Sequence, residues 1–130
     1  MIQVYKNYIE EDYPDMFFEM ANIGKKHVGL PANLWLDPWA VDRHPKHNIP
    51  RLKVQGDKSD KIHSDNLIPV SISKNPEILI KNYKSELSSK EWNQIFEFIK
   101  NEYDMLMKHA THVIFDSDIL LYFVNKYKKK

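Results

Sequence analysis

Ser88-Ser89-Lys90-Glu91-Trp92-Asn93-Gln94-Ile95-Phe96 opens the stretch whose reading decides the fold. Ser88 and Glu91 stand three apart just ahead of an apolar run, the form of a capping box, in which a hydroxyl and a carboxylate satisfy free amides reciprocally. From there Trp92, Ile95, Phe96, Ile99, Tyr103, Leu106 and Ala110 recur at helical spacing. The pattern predicts one amphipathic helix over 89–110, and such a helix needs a surface to cover.

The chain upstream supplies strands for that surface. Asn33-Leu34-Trp35-Leu36 is a short apolar run, and Arg51-Leu52-Lys53-Val54-Gln55 alternates polar and apolar as a half-solvated strand does. Leu67 to Ser73 reads as another strand, with Pro69 marking an edge or a bulge. Glu77 to Ile80 pairs briefly after the Asn75-Pro76 turn, and the first nine residues, with Ile2, Val4, Tyr5, Tyr8 and Ile9, form a further short strand. Phe17, Met20 and Ile23 predict a helix over 14–27, stopped at Gly29-Leu30-Pro31. Leu120, Leu121, Val124 and Tyr127 predict a last helix over 117–128, its lysine tail at the negative end of the dipole. The expected architecture is a single α+β domain spanning 1–130: a small antiparallel sheet of three to five strands, backed by the 89–110 helix, with the other two packed around it.

Composition narrows the function classes. The 130 residues are 42% hydrophobic and 12% aromatic, enough apolar surface for one unstapled core. With no cysteine the chain has neither disulfides nor thiolate metal ligands. No apolar run approaches membrane-spanning length, and the start lacks the pattern of a signal peptide, so a cytoplasmic protein without membrane contact is expected. Nineteen basic and eighteen acidic residues leave a net charge of +1. No global field steers the protein toward nucleic acid or membrane, and an electrostatic partner must be met by a local patch.

The stretch from Asp37 to Pro50 has a different character, with Pro38, Pro45 and Pro50 and neither helical nor alternating period. His44 and His47, with Asp37 and Asp42, could supply zinc with nitrogen and oxygen ligands. That spacing recurs by chance, so a metal-dependent enzyme ranks last, and no metal or other cofactor is expected. His109 and His112 are explained by helix C-terminal capping. A Mg²⁺ nuclease needs an acid-x-Lys strand, and Arg51-Leu52-Lys53 has arginine where the acid belongs. A Gly-x-Ser-x-Gly elbow is absent, and three glycines cannot build a phosphate-cradling loop.

What remains is binding. Trp39 beside Pro38 is a loop tryptophan of the kind that anchors interfaces, whereas Trp35, on a strand, is read as core. Arg43, His44, Lys46, His47, Arg51 and Lys53 lie within eleven residues and form a basic run. The expected function is a small non-enzymatic protein-binding module acting through residues 37–53. Its size and lack of catalytic groups suit an inhibitor or regulator of a nucleic-acid enzyme, of the mobile-element type. The rival is an RNA- or DNA-binding module using the basic loop 39–53, in which cations meet phosphates and a tryptophan stacks on a base.

Overall fold

The computed structural model describes residues 21–36 and 49–128. Four strands occur in chain order: β1 (Ala21–Ile23), β2 (Leu34–Leu36), β3 (Arg51–Gln55) and β4 (Leu67–Ser71). Each pairs antiparallel with the next, giving a meander in the order β1-β2-β3-β4. Four helices accompany them: α1 (Lys25–Val28), α2 (Ser89–Asn101), α3 (Tyr103–Ala110) and α4 (Asp116–Lys126). The fold is α+β.

The register explains why the sheet has two unlike faces. Side chains alternate along a strand, and directly opposed residues share a face. Ala21, Leu36, Leu52 and Val70 form one inner row, and Ile23, Leu34, Val54 and Ile68 form the next. All eight are buried, in one cluster with Trp92, Ile95, Phe98 and Ile99 of α2, Leu106 and Ala110 of α3, and Ile119 and Phe123 of α4. The rows between them carry Asn22, Trp35, Lys53 and Pro69, and these belong to the opposite, outer face.

Pro69 sits on an edge strand, as its lack of an N–H requires. The edge is covered briefly where Ile78 bridges to Val70 and the Leu79 amide donates to the Pro69 carbonyl at 2.9 Å. Beyond β4, the 77–80 segment therefore pairs as its sequence predicts. The proposed strand in the first nine residues lies outside the described residues.

Three expectations are corrected. Residues 14–20 of the expected 14–27 helix lie outside the described residues, but Ala21–Ile23 is a strand and only Lys25–Val28 is helical. Ala21 and Ile23 are buried on either side of exposed Asn22, a period of two that competes with the helical period and wins because β2 offers a ladder.

The expected 89–110 helix is interrupted at Glu102, which has φ −106° and ψ 19°. Its backbone bonds to Phe98 and from Leu106 persist, so the axis continues with a local break. Three residues after Ile99 and four before Leu106, the Glu102 side chain falls on the buried face, where it is 1% exposed. There it accepts hydrogen bonds from Tyr122 Oη at 3.0 Å and Tyr127 Oη at 2.5 Å, and pairs with Lys126 Nζ at 2.7 Å. Phe98, which the apolar stripe omits, is buried, while Phe96 and Tyr103 only pack against the core's margin.

The last helix shows the third difference. Its buried residues are Ile119 and Phe123, whereas Leu121 and Val124 face solvent. Five apolar residues, Ile119 to Leu121 and Phe123 to Val124, around Tyr122 leave its core face undetermined by sequence pattern alone.

Candidate binding face of the sheet

The outer face is built on the central strands β2 and β3. Trp35 lies opposite Lys53, Lys53 opposite Pro69, and Trp35 opposite Asn22, so these four form one row across the sheet. Arg51 stands two residues from Lys53 on the same face, opposite Ser71. Trp35, Arg51, Lys53 and Pro69 are half-buried and Asn22 is exposed. Trp35 belongs neither to the core nor to the side chains packed against its margin. The expectation that Trp35 fills the core is thus corrected: its neighbours Leu34 and Leu36 take the inward positions, and alternation sends the indole outward. Its Nε1–H is buried with no acceptor among the described residues.

Among the described residues, loops cover the two ends of this face. At one end Gln55, fully buried, is enclosed by residues 56–66. Its amide donates to Asp57 Oδ1 and to the Lys61 carbonyl, both at 2.9 Å, and its oxygen accepts the His63 amide at 3.1 Å. Asn33, also fully buried, donates to the Ser59 carbonyl at 3.2 Å and accepts the Lys25 amide at 2.7 Å. His63 Nε2 lies 2.7 Å from Asp57 Oδ2, and the Asp65 amide donates to His63 Nδ1 at 3.3 Å. In the neutral imidazole the proton therefore sits on Nε2 and is donated to Asp57.

The charges of this strap neutralise one another. Lys25 and Lys26 both reach Asp60, at 3.1 and 3.0 Å, and Lys58 reaches Glu91 at 3.0 Å. The Gln55 amide, followed by the Ser59 amide and His63, holds the Asp57 carboxyl below its ordinary range. Lys26 and then Lys25 do the same for Asp60. Gly56 is needed where the strap leaves β3: a Cβ there would stand 2.4 Å from Asn66 Nδ2 and 2.8 Å from the Lys84 carbonyl. At the other end of the face, Ser71 Oγ accepts the Glu77 amide at 3.0 Å and meets Ser73 Oγ, which buries it.

Of the residues singled out by sequence, Arg51 and Lys53 are brought together on the outer face. Trp39, Arg43, His44, Lys46 and His47 lie outside the described residues, in the segment that joins β2 to β3. Arg51 Nε donates to the Ile49 carbonyl at 3.4 Å, and among the described residues no acid pairs with either cation. His109 is buried, with Nε2 2.6 Å from Asp116 Oδ1 at the start of α4. It ties two helices together rather than capping carbonyls of its own. His112 takes a left-handed φ of 64°, closing α3 with bonds from its amide to His109 and from the Val113 amide to Lys108. Among the described residues no cluster of three His, Asp or Glu side chains could hold a metal ion, and no helix is long and apolar enough to cross a membrane.

Sequence reading missed Trp35 as a surface residue, and the alternation of Leu34-Trp35-Leu36 against Leu52-Lys53-Val54 was the available signal. It also missed Asn33, Gln55 and Glu102, whose burial depends on partners distant in sequence. Comparison with protein-family models, curated proteins and solved structures found no match to this chain.

Proposed function

We propose that this chain is a non-enzymatic binding protein that contacts a protein partner through the outer face of its sheet and the adjoining 37–48 segment. One observation carries the reading: among the described residues the sheet buries one face in the core, while the middle of the other carries the half-exposed row Asn22-Trp35-Lys53-Pro69 with Arg51 beside it. A half-buried tryptophan flanked by polar and basic side chains is the composition of an interface centre, since tryptophan and arginine contribute much binding energy per residue. The 37–48 segment, with Trp39, Arg43, His44, Lys46 and His47, begins directly after β2 and ends two residues before β3. Small size and lack of cysteine suit an inhibitor or regulator working in the reducing cytoplasm, with a nucleic-acid enzyme as the kind of target.

Affinity capture from the native host tests this. A dominant partner should be recovered by the unaltered chain and lost on Trp39→Ala or Lys53→Ala, while Leu121→Ser, on the exposed side of α4, should retain it. Capture unaffected by the first two substitutions would place the contact elsewhere, and capture of none would oppose a protein-binding role.

A further inference from the structure

On the helical side of the sheet, we infer that the outward face of α4 is a self-association surface, received by the same face of a second copy running antiparallel to it. Of the eight large hydrophobic side chains exposed among the described residues, four fall within residues 113–124: Val113 at 66%, Phe115 at 73%, Leu121 at 62% and Val124 at 41%. Apolar exposure gathered on one element marks an interaction surface, where scattered exposure would not. Ser117, Leu121, Val124 and Lys128 follow one another at steps of four, three and four, so they share the side of α4 opposite its buried Ile119 and Phe123. All four are exposed. The face is also held rigidly. Ile119 and Phe123 anchor α4 in the core, His109 Nε2 lies 2.6 Å from Asp116 at its start, and Lys126 lies 2.7 Å from Glu102 at its end. A helix fixed in advance loses little freedom on association.

Charge selects the occupant. The stripe has an acid at its start, Asp118, and a base at its end, Lys128, with apolar Leu121 and Val124 between them. Asp118 Oδ2 accepts the Phe115 amide at 2.9 Å, but neither Asp118 nor Lys128 pairs with an opposite charge among the described residues. An acid–apolar–base stripe is complementary to itself when reversed. With a two-fold axis between Leu121 and Val124, each Leu121 meets the other copy's Val124. Each Asp118 then lies opposite position 127, about 1.5 Å along the helix from Lys128. The two helix dipoles also oppose, positive end beside negative end. A parallel pair would instead set acid against acid and lysine against lysine. An anionic membrane is a poorer occupant, because helices that lie on membranes carry Lys and Arg beside their apolar side, whereas Ser117, Asp118 and Asn125 stand there. One eleven-residue helix per copy makes a contact smaller than the roughly 1,200–2,000 Å² of stable complexes, so the dimer is weak and concentration-dependent.

Sedimentation equilibrium of the full chain from about 5 to about 500 µM tests this, a range suited to so small a contact. The average mass should climb from monomer towards dimer. Leu121→Glu should abolish the rise and Leu121→Ser weaken it, each with an unchanged circular-dichroism spectrum because the leucine is exposed. Asp118→Lys and Lys128→Glu should each weaken association about threefold or more. The double variant should regain it, although it shares the helix cap lost in Asp118→Lys. The chain has no cysteine, so Ser117→Cys and Lys128→Cys chains, when mixed, should form disulfides with each other faster than with themselves. A monomer at every concentration, association untouched by Leu121→Glu, or a double variant no tighter than the single ones would overturn the second copy as occupant. Faster pairing of Ser117→Cys with itself would overturn the antiparallel arrangement. A chain that stays monomeric yet binds phosphatidylserine vesicles, and loses that binding on Leu121→Glu, would assign the face to a membrane instead.

Discussion

Glu102 shows at the scale of one residue how a polar side chain sets the course of a helix. Its carboxylate is buried where the long helix breaks, and three donors from α4 and the residue after it satisfy it. Removing one member of a buried, hydrogen-bonded charge cluster leaves the others without partners. Glu102→Ala should destabilise the protein by about 3 kcal/mol, measured by urea unfolding. Tyr122→Phe should cost less, because it removes a single donor and leaves the carboxylate two others. A loss from Glu102→Ala as small as that of an average surface substitution would mean that the cluster is not formed. Glu102 stands three residues after Ile99 and four before Leu106, on the apolar face, unlike Glu91 and Glu97, but the sequence does not show the partners that let a carboxylate be buried there. Its partners stand 20 to 25 residues away. Trp35 was legible in principle, since the strand period that buries Leu34 and Leu36 also turns it outward.

At the scale of elements, the capping box was fully legible because both partners lie within one turn. Ser88 Oγ accepts the Glu91 amide at 3.1 Å, and Glu91 Oε1 accepts the Ser88 amide at 2.9 Å. Ser88→Ala should cost about 1 kcal/mol in thermal or urea unfolding. Glu91→Gln should cost less, since a glutamine completes the box and only the exposed contact with Lys58 is lost. An unchanged midpoint for Ser88→Ala would contradict the cap. The strands β2, β3 and β4 were legible for the same reason, their alternation being local. β1 was not. With three residues it carries too little pattern to outweigh the helical spacing of Phe17, Met20 and Ile23, and only its ladder with β2 decides the matter. The face of α4 was equally closed to sequence, because apolar residues surround much of its circumference.

For the whole molecule, the paired charges set how stability follows pH. Asp57, Asp60 and Glu91 have carboxyls held below their ordinary values of 3.8, 3.8 and 4.5: Asp57 by Gln55, Asp60 by Lys26 and Lys25, and Glu91 by the Ser88 amide and then Lys58. Their contribution is complete above those values and disappears as pH falls through the lower folded ones. Tyr127, raised by burial and then by Glu102, and Lys126, raised chiefly by Glu102, act on the other side. Their contribution is complete below the ordinary 10.0 and 10.5 and declines as pH rises beyond them. Thermal unfolding across pH should show a plateau near neutrality with losses below about pH 4 and above about pH 10. A midpoint that rises steadily into alkali would contradict the Glu102 cluster.

The fold class was readable from periodicity, but the proposed binding face was readable only in part. Arg51 and Lys53 stood out as basic residues, yet their shared face and their alignment with Trp35 depend on register across three strands. The most direct test places a photo-crosslinking amino acid at position 53 in the native host and, as a control, at position 93 on the exposed side of α2. The account predicts one discrete protein adduct from position 53 and none from position 93. An adduct from position 93 alone, or nucleic acid in place of protein at position 53, would contradict it.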